Sequence, residues 1–214
     1  PLIKRIAQRG KPMIMSKGMA SEDEVIDAVR TAKENGCNDI ILLQCVSGYP
    51  APAEQYNLRT IPDMATRFGV LTGLSDHTLD NATAIASVAL GACVIEKHVT
   101  LDRAGGGADD SFSLEPAELA RLCQDTKTAW QALGCVNYQQ TLSEQSNIKF
   151  RRSLYVVKPI KKGEVLTSEN VRSIRPGYGL APKHYDHVIG KKALVDIPSG
   201  TALSFDLIQS NAEE

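Results

Sequence analysis

The stretch VLTGLSDHTLDNATAIASVALGACVIEKH, residues 70–98, contains a complete strand–helix–strand unit. Residues 70–74 and 93–96 are short apolar runs of strand length, bounded by glycine or polar residues. Between them, residues 81–90 are mostly small and apolar, which suits a helix packed closely on a sheet. Each strand leads into a histidine, His77 or His98.

Working outward, residues 13–15 and 40–45 read as two more buried strands. Ser21 is placed to cap a helix, with Glu22, Asp23 and Glu24 in its first turn and Val25, Ile26 and Val29 on its apolar face; Gly36 closes it. A second helix is expected over residues 58–67, with Pro62 near its start. A fourth is expected from Pro116 to Leu133, carrying Leu119, Leu122, Thr126 and Trp130 at helical spacing. Four strand–helix repeats imply right-handed parallel crossovers. Such a repeat suits an open doubly wound sheet or part of a (β/α)8 barrel, and no GxGxxG follows the first strand to support dinucleotide binding. Four units make half a barrel, whose unpaired strand edges are expected to need a partner.

The composition changes near residue 134. We expect a barrel-type segment over residues 1–134, a polar linker over 135–150 and a small turn-rich β domain over 151–214. In that last part, residues 154–157, 171–174 and 193–195 read as β pieces. Residues 160–166 (IKKGEVL) and 197–203 (IPSGTAL) look like two copies of one device: an apolar residue, a turn at glycine, then a return strand.

The apolar fraction of 43% and charged fraction of 23% are those of a globular protein. A net charge of -1 without a basic stripe argues against nucleic acid, and no apolar run approaches the length needed to span a membrane. Five cysteines without CxxC spacing fit a reduced, cytoplasmic setting better than a disulfide framework. The chain begins at Pro1 rather than Met, so residues upstream are expected.

His77 and His98 end neighbouring strands, and in parallel α/β folds such ends face the active site. Adjacent strands lie about 5 Å apart, so both imidazoles could reach one first-row divalent ion. Two satisfied polar residues at strand ends would look the same from position alone. Asp109 sits in the loop Gly105-Gly106-Gly107-Ala108-Asp109-Asp110, which is able to fold back over that site. A solvated acidic loop is the plainer account of it. Ser16, Ser47 and Ser75 follow or end successive strands, where hydroxyls and backbone N–H groups can hold a phosphate; turn chemistry alone also places serines there. Tyr49 either lines the pocket or packs under the next loop.

Taken together, Met15-Ser16-Lys17-Gly18-Met19, Cys45-Val46-Ser47-Gly48-Tyr49-Pro50-Ala51-Pro52, Gly73-Leu74-Ser75-Asp76-His77-Thr78, Gly91-Ala92-Cys93-Val94-Ile95-Glu96-Lys97-His98-Val99-Thr100 and Phe112-Ser113-Leu114-Glu115-Pro116 resemble the nonulosonic (sialic) acid synthase family, in that family's order. The C-terminal part is similar to the antifreeze-like (SAF) domain that ends those enzymes. Arg152-Ser153-Leu154-Tyr155-Val156-Val157 and Arg175-Pro176-Gly177-Tyr178-Gly179 are most similar to the pseudaminic acid synthase branch.

The resemblance implies the C-terminal half of a TIM-type barrel followed by an SAF domain. It implies condensation of phosphoenolpyruvate with a 2,4-diacetamido-2,4,6-trideoxy hexose, giving pseudaminic acid and phosphate. It further implies a divalent metal, Mn²⁺ ahead of Co²⁺ or Mg²⁺, held by His77 and His98 with Asp109 close by. Ser16, Ser47 and Ser75 would surround phosphoenolpyruvate, and Tyr49 would line the sugar pocket. Arg175 would reach the sugar in the partner subunit of a domain-swapped homodimer. N-acetylneuraminate or legionaminate synthesis is the nearest alternative, and a non-catalytic sugar-binding module is one of a different class. Lys17, Val99 and Ala108 depart from the family's usual threonine, phenylalanine and proline, and the last is expected to loosen the loop carrying Asp109. The family pattern is entered part-way, so these 214 residues alone are expected to be inactive.

Overall fold

The computed structural model describes residues 1–210, and its chain divides into two compact units, Pro1–Cys135 and Val136–Glu214. The last four residues of the expected C-terminal domain lie outside the described residues.

The first unit runs α1 (Leu2–Ala7), β1 (Met13–Ser16), α2 (Glu22–Glu34), β2 (Ile40–Cys45), α3 (Thr60–Phe68), β3 (Leu71–Asp76), α4 (Ala82–Ala89), β4 (Val94–Lys97) and α5 (Pro116–Leu133). All four strands are parallel and lie in chain order, β1-β2-β3-β4. Period-two alternation sends Met13, Ile40, Leu42 and Leu74 to the face covered by helices. There they pack with Val25 and Val29 of α2, Met64 of α3, Ala84 of α4 and Leu122 of α5. The opposite face bears Ile14, 54% exposed, and Leu71, 62% exposed. A sequential strand order with its helical cores on one face is single winding, the arrangement of a barrel segment rather than of a doubly wound sheet.

Local signals account for the helix ends. Ser21 Oγ accepts the Glu24 N–H while the Glu24 carboxylate accepts the Ser21 N–H, a reciprocal cap. The second predicted helix starts at Thr60, which places Pro62 in the first turn, where its missing N–H costs nothing. Trp130, at the end of the expected apolar stripe of α5, is exposed, so the buried part of that stripe stops short of it. The helix α1 was not expected; at six residues it is too short to display a period.

The second unit contains α6 (Leu142–Gln145), β5 (Ser153–Val156), β6 (Val171–Ile174) and α7 (Tyr185–Val188). Its strands β5 and β6 pair antiparallel over a core of Leu154, Val156, Ile160, Leu166, Val171, Ile197 and Leu203. The expected strand at residues 193–195 is absent: Ala193 makes one isolated bridge to Ile208, while Leu194 and Val195 stay exposed. The two copied segments meet at their first residues, where Ile160 and Ile197 exchange both backbone hydrogen bonds at 2.9 and 2.8 Å. Each then turns at a glycine of positive φ, +83° at Gly163 and +86° at Gly200, where a side chain would be strained.

Candidate active site

The register of β3 on β4 pairs Ser75 with Glu96 and Asp76 with Lys97. His77 and His98 therefore leave the sheet side by side, and their ring centroids lie 5.2 Å apart in an edge-on arrangement. The Tyr49 ring lies 4.3 Å from that of His77, and Phe112 lies 5.2 Å from His98 and 5.3 Å from Tyr49. Four rings thus cluster at the C-terminal ends of the strands.

One nitrogen of each imidazole faces an acceptor, hydrogen-bonded in His77 and at ion-pair distance in His98. His77 Nδ1 lies 2.8 Å from the Val46 carbonyl, which can only accept, so Nδ1 carries the proton and Nε2 keeps its lone pair. The backbone N–H of His77 donates to the buried Tyr56 hydroxyl at 2.6 Å. His98 Nδ1 lies 3.4 Å from Asp109 Oδ2. An imidazole whose second nitrogen faces a carbonyl or carboxylate is the usual outer support of a metal-binding histidine. Among the described residues no group of three or more His, Cys, Asp and Glu converges as a ligand cage. Two imidazole donors nevertheless fit a first-row divalent ion whose other positions go to oxygen ligands, and Asp109 stands as the outer partner of His98.

The loop carrying Asp109 is braced rather than loose. Asp110 Oδ2 accepts the Gly107 N–H at 2.7 Å, and a Cβ on Gly107 would meet that same oxygen at 2.8 Å. The Thr100 hydroxyl, then the Gly107 N–H, hold the Asp110 carboxyl below its ordinary range. Arg103 Nε donates to the Ser113 carbonyl at 3.1 Å and pairs with Glu118, tying the loop to the start of α5.

The serines divide. Ser75 is buried and donates its hydroxyl to Glu96 Oε1 at 2.7 Å. Ser16 ends β1 and is exposed, and Ser47 follows β2 with its Oγ 3.1 Å from where a Gly18 Cβ would stand. Arg175 belongs to the second unit, exposed just past β6 and without an ion-pair partner among the described residues. An apolar groove among Ile14, Val94, Leu119 and Trp130 runs along β4 and includes neither imidazole.

Several residues around the site escaped the reading of the sequence: Tyr56, Phe112, and the pair Asp76 and Lys97. The last pair did carry a signal. In each strand, alternation assigns the charged residue before the histidine to the helix-packed face, where a charge requires a partner.

The comparisons agree with this architecture. Residues 1–138 match the NeuB family and residues 151–209 match the SAF domain. This chain belongs to the NeuB family. It is 41% identical over 201 residues to pseudaminic acid synthase of Campylobacter jejuni, covering 94% of this chain and 59% of that protein. It is 40% identical over 196 residues to N,N'-diacetyllegionaminic acid synthase of the same species, covering 90% of this chain and 59% of that protein. The crystal structure of spore coat polysaccharide biosynthesis protein spsE from Bacillus subtilis superposes with a TM-score of 0.59 at 34% identity, covering 99% of this chain and 65% of that one. The chain therefore spans under two thirds of the NeuB-family relatives it resembles.

Proposed function

We propose that the protein carrying this chain is a nonulosonic acid synthase that condenses phosphoenolpyruvate with a 2,4-diacetamido-2,4,6-trideoxy hexose, forming pseudaminic acid and releasing phosphate. The observation that supports the reading is the pairing of His77 and His98, whose rings stand 5.2 Å apart at the ends of registered strands. A divalent ion, Mn²⁺ by preference, would be held by these imidazoles and would supply Lewis-acid polarisation of the sugar carbonyl.

The chain's own residues position and shield. The Val46 carbonyl occupies Nδ1 of His77 and the Asp109 carboxylate stands beside Nδ1 of His98, which favours Nε2 of each for binding. Tyr49 and Phe112 flank the imidazoles with aromatic surface against which the sugar's carbon chain would pack. Ser16 and Ser47 offer hydroxyls at the strand ends, where a phosphate is able to accept them. Ser75 already donates to Glu96, so it would have to release that carboxylate to donate to an anion. Arg175 would act in the partner subunit of a homodimer, and its lack of an ion-pair partner among the described residues leaves the guanidinium free for that role.

The test offers the complete protein 2,4-diacetamido-2,4,6-trideoxy-altropyranose or N-acetylmannosamine with phosphoenolpyruvate and Mn²⁺, and weighs the products by mass spectrometry. Product from the first sugar alone is expected. Product from N-acetylmannosamine alone would assign N-acetylneuraminate synthesis, and none from either would remove the reading. The 214 residues on their own, with the face of Ile14 and Leu71 open, are expected to give no turnover in the same assay.

A further inference from the structure

Behind the two imidazoles lies an ion pair that burial alone would not favour. Asp76 is fully buried and the Lys97 side chain is 4% exposed, with Lys97 Nζ 3.0 Å from Asp76 Oδ2. The contact has ion-pair distance without hydrogen-bond alignment, since Oδ2 is otherwise unpartnered. Such pairs commonly add little net stability compared with apolar residues of similar size, because both charges lose their water. Their place in the chain is therefore the informative property. Asp76 immediately precedes His77, Lys97 immediately precedes His98, and the two are register partners on β3 and β4. Asp76 Oδ1 accepts the Thr78 N–H at 2.9 Å, closing a turn around His77. Lys97 Nζ donates to the Thr78 carbonyl and approaches the Asp80 carbonyl at 3.4 Å, so it grips the same turn from the neighbouring strand.

Resting on the metal-site reading above, we infer that Asp76 and Lys97 are positioning residues that set the separation and aim of His77 and His98. Strand alternation puts neither side chain on the imidazole side of the sheet; both act through the backbone of the turn that follows His77. The pair locks the ends of β3 and β4 together at the one level where two rings have to converge. Removing it frees the 77–80 turn to shift relative to β4.

The test uses the complete protein and Co²⁺, whose visible spectrum reports imidazole ligation. The Asp76→Asn/Lys97→Met double variant keeps an acceptor for the Thr78 N–H and leaves no lone buried charge. It is expected to melt cooperatively, to bind Co²⁺ about 10- to 100-fold more weakly, and to show an altered ligand-field spectrum. Its kcat should fall by a similar factor while KM for phosphoenolpyruvate changes by less than about threefold. A folded double variant with the parent's affinity and spectrum overturns the inference. If the double variant does not fold, Asp76→Glu keeps both charges but lengthens one arm. The same loss of affinity is then expected, and parent-like binding overturns the inference equally. The His77→Ala variant separates the two levels of the claim. Parent-like Co²⁺ binding in it sinks the metal site itself, whereas lost binding there beside intact binding in the double variant sinks only the positioning role.

Discussion

Tyr56 holds His77 by its backbone: the buried phenol oxygen accepts the His77 N–H at 2.6 Å, while the Tyr56 carbonyl accepts from Gln44 Nε2 at 2.6 Å. Burial, helped by the nearby Asp76 carboxylate, pushes the Tyr56 phenol well above its ordinary value, so it stays neutral. Tyr56→Phe would leave the His77 N–H unpaired at a cost of about 1–3 kcal/mol, read as a lower urea midpoint. Metal affinity should fall in parallel, as His77 keeps only its contacts to the Val46 carbonyl and the Ala51 N–H.

Replacing either imidazole should be more damaging than disturbing its supports. His77→Ala and His98→Ala are each expected to reduce Mn²⁺ affinity by more than about 100-fold, the upper end for loss of an outer partner. Equilibrium dialysis measures this directly, and near-parent affinity in both variants would remove the site.

At Gly73, β3 lies close against its neighbours. A Cβ there would stand 2.4 Å from the Val94 carbonyl oxygen and 2.6 Å from Leu43 Cδ2. Gly73→Ala is expected to destabilise the protein by about 1–3 kcal/mol or more, since both the strand and the leucine would have to move. Chemical denaturation gives the figure. Because the strain falls at the β3–β4 pairing, metal binding should weaken as well.

The brace at Asp110 gives a pH dependence of known sign. Its carboxyl is held below the ordinary value by the Thr100 hydroxyl and the Gly107 N–H. The stabilisation of the loop is therefore complete above the unfolded value, about pH 4, and is lost as the pH falls through the lowered one. The Gly107 amide resonance should titrate in that acid range, and Asp110→Asn should abolish the titration.

The strands were legible because buried parallel strands write themselves as short apolar runs: residues 13–15 and 40–45 differ little from β1 and β2. The helix Pro116–Leu133 was bounded by its own signals, proline at the start and Gly134 after the end. Two causes account for the failures: partners far along the chain, and loop conformations without a period. Ala193-Leu194-Val195 is an apolar run of the kind a strand shows, but Ala193 has only one bridge partner, and pairing depends on a distant segment. At the site, His77 and His98 were readable as strand ends. Tyr56 was not, because its hydroxyl meets a backbone amide far along the chain. The brace of Asp110 on Gly107 is local, yet depends on a loop conformation that no periodicity announces.

In the second unit, the mutual bonding of Ile160 and Ile197 has a consequence for how that unit is made. Neither glycine turn has its partner until most of the unit has left the ribosome, so no stable smaller version of it is available during synthesis. A chain ending before Ile197 would present the apolar side of β5 and β6 to water, and would be a substrate for proteases rather than a working half-domain.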